Sequence, residues 1–273
     1  MNAPADEISY SRPYRAPVDR GSLSPATRQL LDDGYTVLRA ALSPVEVAEL
    51  RADVARVFGE GPSEVDLMNG HPEYWRFLMF ERSALAQRTL AHRAVLDVIE
   101  PLLGRDCHVI ANTAWMTPRG YDGGGWHTDA GPHVPRPEGV PWDDRIPYPI
   151  FIIACMMYLT DVPLAAGPTA VVPGSHRSAR PAPERDPVYE GRGPLPLEVC
   201  AGDIALLSSD LWHRGMPNTG GEPRMVFQVH YGRRDMAQRF APALNHRIPD
   251  AVLDRATSRG RLLLGLHPPS FYG

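Results

Sequence analysis

The apolar positions of this chain change period partway along it. Over roughly the first hundred residues they recur every three or four positions, as on one face of a helix. Ser24-Pro25 supplies a cap followed by a proline in the first turn, so a helix is expected to run to about Asp33 and stop at Gly34. Tyr35 to Leu38 has the pattern of a short strand. Ser43-Pro44 opens a second helix, with Val45, Val47, Leu50, Val54, Val57 and Phe58 as its apolar stripe. Residues 84–103 predict a further helix, broken near Pro101. Before all of these, residues 1 to about 22 mix Pro, Ser, Arg and Tyr without period, which predicts a loose arm.

From His108 onward the pattern turns to short β runs. The strand candidates are His108–Met116, Gly125–Asp129, Ile150–Leu159, Thr169–Val172, Leu197–Val199, Ile204–Leu207, Trp212–Met216 and Arg224–Tyr231. Gly and Pro punctuate them at Pro118–Gly120, Gly167-Pro168, Ala201–Asp203 and Pro217–Gly221. The fold class expected is mainly β with flanking helices (α+β), an antiparallel sandwich or barrel. The expected organisation is one domain over residues 23–273: a helical part to about 105, a β core over about 106–235, and a C-terminal extension from about 236. Two Pro-rich stretches, Pro132–Pro149 and Pro181–Pro196, are too long for hairpin turns and read equally as lids or as surface insertions.

Composition narrows the function. With 273 residues, 43% apolar and 22% charged, the chain can bury a substantial core. A net charge of −4 gives no general basic field, so nucleic acid is not an expected partner. The longest apolar run, Ile150 to Leu159, suits a buried strand and falls short of a membrane span, so no membrane is expected. Asp6 and Glu7 stand where a signal peptide would be basic and then apolar, and a cytoplasmic location is expected. Three cysteines without a CxxC argue against a disulfide framework, and Cys155 reads as a small core residue. There is no lysine. A Schiff-base lysine, a lysine nucleophile and a P-loop are therefore excluded. Any bound anion must be held by arginine, hydroxyls, amides or backbone.

The candidate chemistry lies at His127-Thr128-Asp129. On a strand, residues i and i+2 face the same way, so an imidazole and a carboxylate would project together. A histidine from a distant strand would complete two histidines and one carboxylate on one side of a metal, a set that suits non-haem Fe(II). HxD alone also fits a surface turn. Gly123–Gly125, just before it, permits a bend or a close backbone approach. His108, His176 and His230 compete with His213 for the third position, since all lie in or near strands. Arg224 favours His213: it follows across the Pro217–Gly221 turn, and a hairpin would set the two on adjacent strands. An arginine beside a metal can clamp a carboxylate in two-point fashion.

Taken together, the motifs resemble the phytanoyl-CoA dioxygenase family of Fe(II)- and 2-oxoglutarate-dependent oxygenases. They are Gly34–Arg39 with Ser43-Pro44, Trp126–Asp129, Tyr158–Val162, Gly167–Thr169, Val172–Arg177, Gly202-Asp203, Trp212–Arg214 with Asn218, and Arg224 with Tyr231. The resemblance implies a double-stranded β-helix (jelly roll, cupin-like), with iron on His127, Asp129 and His213. It implies Fe(II), 2-oxoglutarate and O2 as cofactor and cosubstrates, with the distal carboxylate of 2-oxoglutarate on Arg224. Thr169 matches a position where some relatives place a hydroxyl near 2-oxoglutarate. Some members use a lysine for this cosubstrate; here it must be replaced, and Asn112 is a candidate. Related halogenases lack the carboxylate that Asp129 supplies, so halogenation is not expected.

The activity implied is oxidation, most simply hydroxylation, of a C–H bond in a small molecule, with succinate and CO2 as coproducts. By analogy with bacterial relatives, and with a lysine-free composition that suits a GC-rich genome, the setting expected is bacterial secondary metabolism. Hydroxylation of an amino acid or acyl carrier is an alternative, as is a silent jelly roll that binds ligand or metal without turnover. Trp126, Trp142, Tyr158 and Arg177 are the candidate substrate contacts, with Trp115 and Phe77 as further candidate walls. His133, in a Pro/Gly loop, reads as a lid or surface residue.

Overall fold

The computed structural model describes residues 18–68, 71–137, 139–220, 222–238 and 246–267. Most of the expected N-terminal arm (residues 1–17) lies outside them, as do residues 239–245 and 268–273 of the expected C-terminal extension. Residues Arg20–Ser22 form one 3-10 turn capped by Asp19.

Helix α1 (Pro25–Asp33) is bounded as its sequence predicts. The Ser24 hydroxyl accepts from the Thr27 N–H, and Gly34 ends the helix in the left-handed region at φ 79°. A side chain at Gly34 would run into the His176 ring, so the stop is a packing requirement too. Strand β1 (Tyr35–Leu38) follows. Helix α2 (Pro44–Gly59) starts with a capping box between Ser43 and Glu46. Leu50, Val54, Val57 and Phe58 of the expected stripe are buried, but Val45 is exposed in the first turn.

After α3 (Glu64–Met68) comes β2 (Trp75–Phe77), a strand too short to show in the pattern. Helices α4 (Met79–Arg82), α5 (Ala84–Arg88) and α6 (Arg93–Leu103) follow. The expected helix over 84–103 is broken at Thr89–Ala91, a 3-10 turn, and not at Pro101, which lies inside α6. The proline removes one hydrogen bond near the helix end. The face of Val95, Val98, Ile99, Leu102 and Leu103 stays in the core and holds the helix together.

The β region comprises β3 (His108–Thr117), β4 (Ile152–Tyr158), β5 (Thr169–Val171), β6 (Leu195–Leu197), β7 (Ile204–Ser208), β8 (His213–Gly215) and β9 (Arg224–Gly232). The large sheet runs β1-β7-β4-β9-β3-β2, and the small sheet β6-β5-β8. All pairings within them are antiparallel. The short helices α7 (Asp250–Asp254) and α8 (Ser258–Leu263) come last, and Leu263 and Leu264 join the core on the helical side.

Two faces of the large sheet have different fates, which is how the site is positioned. Met225, Phe227, Val229 and Tyr231 of β9 pack against the helices, together with Cys155 and Met157 of β4. The alternate residues look toward the small sheet, where Ala154, Tyr158, Val171, Leu197, Leu207 and Val226 form a second, smaller cluster. Arg224, Val226, Gln228 and His230 are therefore one row on the inner face. The expected Gly125–Asp129 strand is reduced to one isolated bridge, His127 with His213. The expected His213–Arg224 hairpin is also corrected. β8 pairs with β5 in the small sheet, whereas β9 pairs with β3 and β4 in the large one. The turn at Pro217 crosses between sheets, so the two residues face each other across the sandwich.

Asp66 ties β2 into this frame. Its side chain is buried and accepts from the Phe77 N–H at 2.7 Å, the Ser63 N–H at 2.8 Å and Arg82 Nη1 at 2.7 Å. Burial works against its charge, yet these bonds outweigh it and hold its carboxyl below the ordinary value. The contribution is thus present at neutral pH and lost as pH falls through the folded-state pKa. Asp66→Asn is expected to cost about 2–4 kcal/mol at neutral pH, with a smaller penalty in acid. Urea unfolding at both pH values checks this, and an equal penalty at both would rule out the ionic role.

Candidate active site

The segment before His127 is shaped by close backbone contact with β8. Gly123 has φ 85°, and a Cβ there would lie 2.7 Å from the Gly215 carbonyl oxygen. The Gly124 N–H donates to that same oxygen at 2.9 Å. His127 and His213 then exchange both backbone hydrogen bonds at 3.0 Å, which pairs their side chains directly. Their rings lie 4.3 Å apart. The Asp129 N–H donates to the Ser209 carbonyl at 3.0 Å, holding the chain extended for two more residues. His127 and Asp129 therefore project to the same side although the segment is no regular strand.

Each imidazole is fixed by the carbonyl two residues earlier. His127 Nδ1 lies 2.8 Å from the Gly125 oxygen, and His213 Nδ1 2.9 Å from the Leu211 oxygen. A carbonyl only accepts, so both Nδ1 atoms carry the proton and both Nε2 lone pairs are free. These point at Asp129: Oδ1 is 3.4 Å from His213 Nε2 and 3.8 Å from His127 Nε2. The three ligand atoms lie within 4.8 Å of one another. Burial works against the Asp129 charge, but the neighbouring His213 and His230 imidazoles hold its carboxyl well below the ordinary value. Burial and the neighbouring His213 lower His127. Burial also opposes the His213 charge, but Asp129 outweighs it and raises that group. Three convergent lone pairs, one anionic, with no donor between them, are a fit for a divalent cation.

Arg224 lies in the same cavity and is buried. Its Nη1 donates to the Gly167 carbonyl, and its Nε has no partner. No carboxylate pairs with it among the described residues, and burial lowers its pKa. A buried guanidinium left this way is a ready receptor for a carboxylate. Thr169 also lines the cavity, and its hydroxyl meets the Tyr158 hydroxyl at 3.2 Å.

Asn112 lies elsewhere. Its face of β3 is the helix-covered one, and its Oδ1 accepts from the Phe80 N–H at 2.8 Å. The expected substrate contacts Trp126, Trp142, Tyr158 and Arg177 likewise do not line the cavity. Trp126 sits outside under Arg214, at 6.0 Å from its guanidinium carbon. Trp142 packs edge-on against Tyr148 within the 132–149 loop. Tyr158 is fully buried behind Thr169. Arg177 pairs with Asp144 at 3.3 Å and Glu190 at 3.1 Å, joining the two Pro-rich stretches. His133 bonds Asp210 at 2.6 Å and is a packing residue. Of the rival histidines, His108 bonds the Met236 carbonyl and His176 the Leu31 carbonyl.

His230, a rival for the third position, backs the carboxylate instead. Its Nε2 lies 3.2 Å from Asp129 Oδ2, the oxygen turned away from the two imidazoles. Its position was readable, because it has the same parity as Arg224 on one strand. His230→Leu is expected to weaken metal retention about ten- to hundredfold, since partners behind a metal ligand fix its orientation. Competition for Fe(II) with a chelator measures this, and wild-type retention would remove the role. Trp75, Tyr74, Tyr121 and Met156 also line the cavity unforeseen. Trp75 comes from the short β2, and nothing in the periodicity marks the loop residues.

The jelly roll thus brings two histidines, a carboxylate and a buried arginine without an anion into one cavity. The model of the phytanoyl-CoA dioxygenase (PhyH) family matches residues 30–226, and this chain is a member of that family. Two curated relatives, uncharacterized proteins of Mycobacterium bovis and Mycobacterium tuberculosis, are each 34% identical over 101 residues. That stretch covers 36% of this chain, and the chain spans only 34% of the length of those relatives.

Three solved structures share the fold. The epimerase SnoN of nogalamycin biosynthesis, in complex with Fe3+, alpha-ketoglutarate and nogalamycin RO, has a TM-score of 0.61 at 19% identity, covering 88% of this chain and 92% of its own. The carbocyclase SnoK of the same biosynthesis has a TM-score of 0.59 at 20% identity, covering 89% and 94%. HygX of Streptomyces hygroscopicus, with nickel and 2-oxoglutarate bound, has a TM-score of 0.58 at 16% identity, covering 82% and 90%.

Proposed function

We propose that this chain is an Fe(II)- and 2-oxoglutarate-dependent dioxygenase that oxidises a C–H bond of a small molecule, with hydroxylation as the outcome and bacterial secondary metabolism as the setting. The observation that carries the reading is the pairing, in one cavity, of a donor-free cluster of three metal-ligating atoms with a buried arginine that lacks an anion. His127, Asp129 and His213 would hold the iron. Arg224 would receive the distal carboxylate of 2-oxoglutarate, with the Thr169 hydroxyl beside it. Iron with the bound keto acid supplies dioxygen activation coupled to decarboxylation, giving succinate and CO2. The residues themselves position and shield: the Gly125 and Leu211 carbonyls fix the imidazoles, and His230 holds the outer oxygen of Asp129. Ala154, Leu207 and Val226 give the cavity an apolar lining.

SnoN and SnoK, an epimerase and a carbocyclase, support a small-molecule setting and also show that one fold hosts several outcomes. A silent binding protein would need no unpaired arginine opposite its metal ligands. Anaerobic titration of the metal-free protein with Fe(II) and then 2-oxoglutarate should give a weak visible charge-transfer band that His213→Ala abolishes. A wild-type protein that gives no band, and no succinate from 2-oxoglutarate, would sink the reading.

A further inference from the structure

The cavity has a volume of about 460 Å³, within the usual range for small-molecule sites. Part of its wall is aromatic. Trp75 and Trp115 are directly opposed on β2 and β3, with rings 4.3 Å apart and inclined at 43°. Tyr74 and Tyr121 meet edge to face at 5.1 Å. All four line the cavity, and none is fully buried. Such rings carry large apolar faces; His71 and Phe77 cover part of them, and each of the four stays partly exposed where it lines the cavity.

Charge is scarce in the same space. Among the described residues, Asp129 and Arg224 are the only acidic and basic side chains in the lining apart from histidines, and the proposed function already uses both. Arg76 and Arg214 are neighbours in sequence of lining residues but turn away. Arg76 lies against Phe58 at 4.2 Å, and Arg214 over Trp126. Glu73, beside Tyr74, lies 3.6 Å from His71 Nδ1. An amino-acid zwitterion or a substrate phosphate inside this cavity would be desolvated without a counter-charge.

Resting on that assignment of Arg224 to 2-oxoglutarate, we propose that the substrate is an uncharged, planar aromatic or polycyclic molecule stacked against the Trp75–Trp115 pair. The inner end of the cavity then sets one edge of the flat ring system toward His127, Asp129 and His213. The slot selects against charged acyl thioesters and free amino acids, because neither finds a partner for its charge there.

The test is equilibrium dialysis of the full chain with three probes: 2-(hydroxymethyl)anthraquinone, its anionic relative anthraquinone-2-sulfonate, and octanoyl-CoA. It is run with and without Ni(II) and 2-oxoglutarate. The neutral ring is expected to bind in both states. With Arg224 occupied, the sulfonate and the thioester should bind at least about tenfold more weakly. Trp115→Leu and Trp75→Ala should each weaken the neutral ring about tenfold or more, the size of one lost stacking face. Circular dichroism identifies any variant that fails to fold, and the other then decides.

Tighter binding of either charged probe, no binding of the neutral ring, or binding as tight as wild type by both tryptophan variants would overturn the proposal. The anaerobic Fe(II) and 2-oxoglutarate titration on the same preparation separates the two readings. A normal band without ring binding removes only the substrate class. Ring binding without a band removes only the iron assignment.

Discussion

Arg224→Met is expected to weaken 2-oxoglutarate binding about thirtyfold to several thousandfold, without destabilising the protein in the absence of cosubstrate. The two halves have one cause. The guanidinium is 4% exposed, makes one hydrogen bond to the Gly167 carbonyl, and leaves Nε without a partner. A buried charge kept in this state is unfavourable for the fold and favourable for a ligand that brings the missing carboxylate. Truncating one side of a buried charge pair costs about 2–5 kcal/mol of binding, and each 1.4 kcal/mol is a factor of ten. Methionine keeps much of the side-chain volume and removes the charge, so the unfolding midpoint without ligand should hold or rise. Arg224→Lys should not restore affinity, because an ammonium cannot offer the paired donors of a guanidinium. Titrating the chelate band gives the dissociation constant, and thermal unfolding gives the midpoint. An unchanged dissociation constant would remove Arg224 from the cosubstrate site.

The elements bounded by local chemistry were the ones legible in the sequence. Ser24 and Gly34 mark both ends of α1 because a hydroxyl cap and a left-handed stop act within a few residues. The apolar runs of β3, β4, β7 and β9 are readable because each strand buries most of its length. What failed depended on which partner lies across a gap. Period-two alternation groups Asn112 with Met116 but does not say that this face meets helices. The turn at Pro217 signals a reversal, yet not that the chain changes sheets there. Trp126 and Trp142 were plausible walls by type and Arg177 a plausible substrate contact, and long-range packing directs them elsewhere. The convergence of the candidate metal set was legible for a local reason: His127 and Asp129 lie two residues apart. The candidate third ligand, His213, needed Arg224 as a guide, although the two lie on different sheets.

Asp129→Ala is expected to weaken iron retention more than about a hundredfold and to abolish both the chelate band and succinate formation, while leaving the fold intact. Asp129 supplies the only negative charge among the three candidate ligands. Without it, two neutral Nε2 lone pairs would face a divalent cation whose charge nothing in the cluster balances. The loss should exceed that for His230→Leu, which only loosens the orientation of a ligand that remains. The fold should survive because the segment is held by its backbone. The Asp129 N–H donates to Ser209, and the His127–His213 pair exchanges main-chain bonds that need no carboxylate. Asp129→Glu separates charge from placement. The carboxylate is kept, but one added methylene carries its oxygens out of line with the imidazoles and with His230, so iron should be partly retained while succinate formation stays low. Metal analysis after dialysis, circular dichroism and the anaerobic titration together read these outcomes. A fully active Asp129→Ala protein would end the assignment of this cluster as an iron site.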